Sequence, residues 1–157
     1  MSAQAANVNT RHYWDDLIPG TRIELGDYFL SREEIIDFAG KYDPLPFHLD
    51  EEAARQSPIG VLCASGIHTM AILQRLTVES WFSRMHIVVG MGVDKLKFIL
   101  PVLPDESLTG HVEVLRQMRL PNQSDRGAVI YRAEAYNPRG EIVASMQGTI
   151  LVLCKPN

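Results

Sequence analysis

One stretch of this chain, residues 65–82, constrains the fold more than any other. It reads as a long helix starting at Ser65, with Ile67, Met70, Ala71, Leu73, Leu76 and Val78 spread around it. That apolar content is too broad for a surface stripe, and a helix apolar on most sides belongs in a core. Something must wrap it, and the sequence that follows supplies strands. Residues 86–92 are β-rich. Residues 93–98 alternate, with Val93, Leu96 and Phe98 set against Asp94, Lys95 and Lys97. Pro101 bends the chain and Pro104-Asp105 turns it. Residues 108–115 alternate again, 122–127 read as a polar loop, and 128–136 and 142–153 as two long strands. Asn137-Pro138-Arg139-Gly140 is the hairpin turn between them. Helices first and a strand meander last predict an α+β fold, with an antiparallel sheet wrapped around the long helix.

The first part of the chain is punctuated by caps and prolines. Pro19-Gly20 marks a turn, and Ile23, Leu25, Tyr28 and Leu30 predict an extended segment. Ser31 and Glu34 have the spacing of a capping box, in which each side chain satisfies a backbone donor of the other residue. Ile35, Ile36, Phe38 and Ala39 give the helix that follows its apolar side, and Gly40 is its expected end. Asp43-Pro44-Leu45-Pro46 cannot continue a helix, so residues 43–49 are expected to form a loop. Asp50 can cap a short helix, which Ser57-Pro58 and Gly60 stop.

Length and charge narrow the function classes. A chain of 157 residues suits one domain, with residues 1–12 as a flexible tail. The net charge of −4, with no Lys/Arg cluster longer than a pair, argues against nucleic acid as the main partner. Cys63 and Cys154 are too few for a disulfide framework and lack metal-site spacing, so a reducing compartment is expected. No apolar run is long enough to span a bilayer and the start carries no secretory signal, so the expected location is the cytoplasm.

Two titratable residues, Asp43 and His48, lie in the proline-bracketed stretch. Pro44 and Pro46 remove backbone freedom and so fix the two side chains relative to each other. On residue types alone, Asp43 capping a turn and His48 packing beside Phe47 and Leu49 is the preferred reading. A metal site of Asp43, His48 and Asp50 lacks a second His and a recognised ligand spacing. Ser65-Gly66 is the third feature. Ser65 can cap the long helix by accepting from the amide of Ile67 or His68. The Gly66 amide then points outward at the positive end of the helix dipole, a ready oxyanion donor, and the missing side chain lets a ligand approach. A plain cap followed by a packing glycine explains the same residues.

The combination of these features resembles a known family. Residues 31–76 are similar to the MaoC-like dehydratases, which include the (R)-specific enoyl-CoA hydratases (hydratase 2). Their hallmark is an Asp, an Asn two residues on, then Pro, a His five after the Asp, and an acidic residue. Here it reads Asp43-Pro44-Leu45-Pro46-Phe47-His48-Leu49-Asp50, followed by Ala54-Arg55. Tyr13-Trp14-Asp15-Asp16-Leu17 with Gly20 resembles the family's opening segment, and residues 93–102 with Pro104-Asp105 its strand and turn. Two positions depart from the pattern: Leu45 stands where most members have Asn, and Ser65 where many have His. His68 could stand in for that His, though an ordinary helical His is the plainer reading.

The resemblance implies a hot-dog fold, a homodimer, and an acyl-CoA or acyl-carrier-protein substrate, with no metal or redox cofactor. It implies that Asp43 and His48 handle water and a proton at the β and α carbons of the thioester, with the Gly66 amide on its carbonyl. The residue types suit that chemistry. A His near its ordinary pKa can take a proton from water. A carboxyl group in a partly apolar pocket can donate one. Lys95, Lys97, Arg84, Arg119 and Arg126 are candidates for the coenzyme phosphates. Two rival readings remain: a hot-dog thioesterase, whose catalytic acid would lie on the long helix, where Glu79 alone is available, and a non-catalytic acyl-thioester-binding protein.

Overall fold

A computed structural model describes residues 11–157, the part of the chain to which every structural statement below applies. Two short strands, β1 (Arg22–Glu24) and β2 (Tyr28–Leu30), lead into α1 (Arg32–Tyr42), α2 (Pro46–Leu49), α3 (Glu51–Gln56) and α4 (Gly66–Ser80). Four long strands follow: β3 (Ile87–Phe98), β4 (Glu106–Leu120), β5 (Gln123–Tyr136) and β6 (Ile142–Leu153). The sheet order is β1-β4-β5-β6-β3, with β2 also on β4, and every pairing of named strands is antiparallel. No helix among the described residues is long and apolar enough to cross a membrane.

The sheet wraps α4, which is the hot-dog arrangement. Leu73 and Leu76 of α4 are each 1% exposed, against Val112, Val129, Ala133 and Met146 at 0%. Burying a leucine this fully is worth roughly 1.5–3 kcal/mol. Small residues let the helix come close: at Gly110 an added Cβ would meet the Glu134 carbonyl at 2.6 Å and Leu73 Cδ1 at 3.4 Å. Farther along, the Tyr131 ring lies over Gly148 and meets Trp81 edge-on at 5.4 Å. One side of α4 is not wrapped. Ile67 and Val78 are 50% and 41% exposed, so the helix is less buried than its apolar content suggests.

Several local expectations change. The expected tail at 1–12 falls partly outside the described residues; His12 is held, its amide on the Arg84 carbonyl at 2.7 Å and its carbonyl accepting from His86. Ser31 does accept from the Glu34 amide at 3.1 Å, but the Glu34 carboxylate turns to Tyr28 and His68 instead of closing a capping box. α1 runs past Gly40 to Tyr42, because a glycine only weakens a helix whereas Pro44 restricts Asp43. The expected 43–49 loop contains one helical turn. Pro46 opens it, a position where its missing N–H would be unpaired anyway. Residues 123–127, expected as loop, extend β5 toward a tight turn at Asn122, whose φ is +62°. Asp50 caps α3 as expected, Oδ1 accepting from Ala53 at 2.8 Å.

β3 departs furthest from its alternating pattern. It lies at the edge of the sheet opposite β1, and all of it is exposed except half-buried Leu96. Register shifts interrupt it, one of them between Asp94 and Lys97, where Lys95 adopts φ +51°.

Candidate active site

Asp43 is fixed at the end of α1, its amide on the Ala39 carbonyl at 2.9 Å. Five residues on, the single turn of α2 carries His48, which is 6% exposed. The His48 ring is anchored by a main-chain atom: Nδ1 lies 2.6 Å from the Cys63 carbonyl. A carbonyl can only accept, so Nδ1 carries the proton and Nε2 presents a lone pair. Nε2 faces Asp43 Oδ2 at 3.6 Å. That separation is too long for a direct hydrogen bond, and a single oxygen placed against both atoms could bond to each.

Ser65 joins this pair to α4. Its Oγ donates to Asp43 Oδ2 at 2.7 Å and accepts from the Ile67 amide at 3.2 Å. The expected helix cap is present, and the same atom also holds the carboxylate, a contact the sequence did not suggest. Ser65 itself is 0% exposed, so its hydroxyl has no competing water.

His48 and Gly66 share the wall of a cavity of about 230 Å³, closed elsewhere mainly by Cys63, Thr69, Phe98 and Val143. Asp43 is not part of this wall and reaches it through His48 Nε2. Gly66 begins α4, and no acceptor is recorded for its amide among the described residues. The space beside Gly66 is not open as the sequence suggested. A Cβ there would lie 2.4 Å from Phe98 Cδ2, so the Phe98 ring occupies the room that the missing side chain leaves. Nothing in the local pattern around Gly66 points to Phe98, which arrives from a distant strand.

Other candidates fall outside the site. His68 turns to Glu34, Nε2 to Oε1 at 3.2 Å, and stacks on Phe38 at 4.2 Å. Burial holds its pKa below the ordinary value, against the opposing pull of Glu34. It therefore does not stand in for a histidine beside Gly66. Burial raises the Cys63 thiol, which leaves it protonated and inert. Glu79 pairs with Arg75 at 2.9 Å on the exposed side of α4. It is 13 positions beyond Gly66, roughly 20 Å along the axis. Of the basic candidates, Arg84 lies past that same far end, Arg119 stacks on Trp14 at 4.2 Å, and Arg126 pairs with Asp125 at 2.7 Å. Lys95 and Lys97 are the two that lie close to Phe98 along the chain.

A family model described as "MaoC like domain" matches residues 17–137. "Uncharacterized protein YdeM" of Bacillus subtilis (strain 168) is 35% identical over 126 residues, 80% of this chain and 86% of that protein. A solved MaoC-like dehydratase from Rhodospirillum rubrum superposes with a TM-score of 0.85 at 35% identity, over 93% of this chain and 99% of that one. R-hydratase PhaJ1 from Pseudomonas aeruginosa, in its unliganded form, gives a TM-score of 0.70 at 21% identity. That match covers 91% of this chain and 86% of the other, and is a likeness of fold alone.

Proposed function

The chain belongs to the MaoC-like dehydratase family, and from that premise we propose that it adds water to a 2-enoyl thioester, or removes it from the 3-hydroxyacyl thioester, with Asp43 and His48 as the acid–base pair. The acyl group is carried on coenzyme A or on a carrier protein. One observation carries this reading: His48 Nε2, with its lone pair freed by the Cys63 carbonyl, faces Asp43 at the edge of an apolar cavity that also borders the Gly66 helix start.

In the hydration direction, a water bound against Asp43 and His48 gives up a proton to the pair as its oxygen bonds to Cβ. The Cα=Cβ electron pair moves toward the thioester oxygen, which the Gly66 amide stabilises at the positive end of α4. The pair then returns a proton to Cα and ends as it began. Water is added with no net oxidation or reduction, so the chemistry calls for no redox cofactor. One oxyanion donor of this kind is worth about 3 kcal/mol in measured cases.

The same reading makes the working unit two copies of the chain joined along β3. That strand is an unpaired edge, and Val89, Met91 and Val93 on it are 46%, 60% and 42% exposed. An exposed apolar edge is a template for pairing.

Loss of conjugated absorbance from crotonyl-CoA tests the activity. Asp43→Asn and His48→Ala are each expected to lower turnover by about 100-fold or more, the usual range for a lost acid–base group, with unchanged circular dichroism. Wild-type turnover in either variant would remove the assignment.

A further inference from the structure

Phe98 is the one aromatic residue in the cavity wall, and nothing in the proposed chemistry uses it. It is the last residue of β3, paired with Ala144 on the core side of the sheet. The strand does not reach that position regularly. The shift between Asp94 and Lys97, with Lys95 at φ +51°, re-aims the residues that follow. Bulges commonly serve this purpose beside sites. On the other side of Phe98 the chain is pinned, with the Ile99 amide on the Val143 carbonyl at 2.8 Å. The backbone is therefore fixed before and after Phe98, and the ring is held against Gly66, within the space a Cβ would need. Phe98 is 50% exposed, so its ring packs on Gly66 on one side and is open on the other.

We propose that Phe98 sets the size of the acyl group, its ring roofing the cavity over the Gly66 helix start so that the site takes short, unbranched acyl chains. This deepens the acyl-thioester reading above and rests on it. The cavity is about 230 Å³, and the ring fills the space beside Gly66 that an acyl chain would otherwise enter. Ile59, Leu100 and Val143 line it with apolar side chains, so chain length and branching are the features left to discriminate. In such a pocket a single methylene changes specificity by roughly 10–200-fold.

The test compares wild type, Phe98→Leu and Phe98→Ala. Turnover is measured with four-, six- and eight-carbon 2-enoyl-CoA thioesters, and calorimetric binding with butyryl-CoA and octanoyl-CoA, which cannot be hydrated. Wild type is expected to favour the four-carbon chain by roughly tenfold or more. Phe98→Ala should shift the ratio by at least that factor toward eight carbons, with Phe98→Leu between the two. A wild type indifferent to chain length, or an unchanged ratio in Phe98→Ala, overturns the assignment. A shifted binding ratio without turnover of any enoyl thioester keeps Phe98 as the size determinant and removes the hydratase reading. Turnover with an unchanged ratio does the reverse.

Discussion

Ser65 Oγ makes two bonds of different kinds, one to the backbone of its own helix and one to the carboxylate of Asp43. Ser65→Ala removes both. The lost cap should cost about 1 kcal/mol, which is about 2–4 °C in melting temperature for a domain of this size. The freed Asp43 should lower kcat for an enoyl thioester while KM moves little, because the hydroxyl orients the carboxylate and does not touch the acyl chain. Melting curves and steady-state kinetics on one preparation read both effects, and an intact kcat would detach Ser65 from the reaction. Prolines and a helix start mark Asp43, His48 and Ser65 in the sequence, but residue types alone favour a turn cap, a packed histidine and a plain helix cap; the family pattern is what singles them out. The two contacts that give them their setting were not legible. The Cys63 carbonyl that orients His48 belongs to the main chain and is spelled by no letter. Phe98 reaches Gly66 only after the sheet has folded back over α4.

Between elements, one tie from α1 to α4 runs from half-buried Glu34, which also holds Tyr28, to buried His68, flanked by Phe38. Burial disfavours protonated His68, lowering its pKa from 6.5 despite the nearby Glu34. Above that value both folded and unfolded chains hold His68 neutral. As pH falls through it, the unfolded chain binds the proton first, so stability drops until the lower folded value is reached. His68→Gln keeps a donor for Glu34 and removes the titration. Its melting temperature should therefore fall less than that of wild type between pH 7.5 and pH 5, and parallel curves would clear His68 of this role. Glu34 also shows why element-level reading was incomplete. Its spacing from Ser31 is that of a capping box, yet its carboxylate is drawn to a phenol and an imidazole that sequence distance hides. The α2 turn was missed because prolines on both sides read as loop, although Pro46 suits a first helical position. The polar start of β5 lacks any apolar signal because Gln123, Ser124 and Asp125 are exposed and bury nothing.

For the molecule as a whole, the order of helices and strands was readable because α4 needs wrapping and the sequence after it provides the sheet. The exposure of β3 was not, since alternation says which residues share a face and not whether that face has a cover. Met91→Lys puts a charge in the middle of the β3 edge. It is expected to convert the two-copy species to single chains in sedimentation, with little change in the circular dichroism of the fold; a single-chain wild type would overturn the arrangement along β3. The strand that carries this edge ends in Phe98, so the rim of the molecule and the roof of its cavity are one continuous piece of chain. A second copy seated on the rim would therefore share its strand with the residue that bounds the cavity.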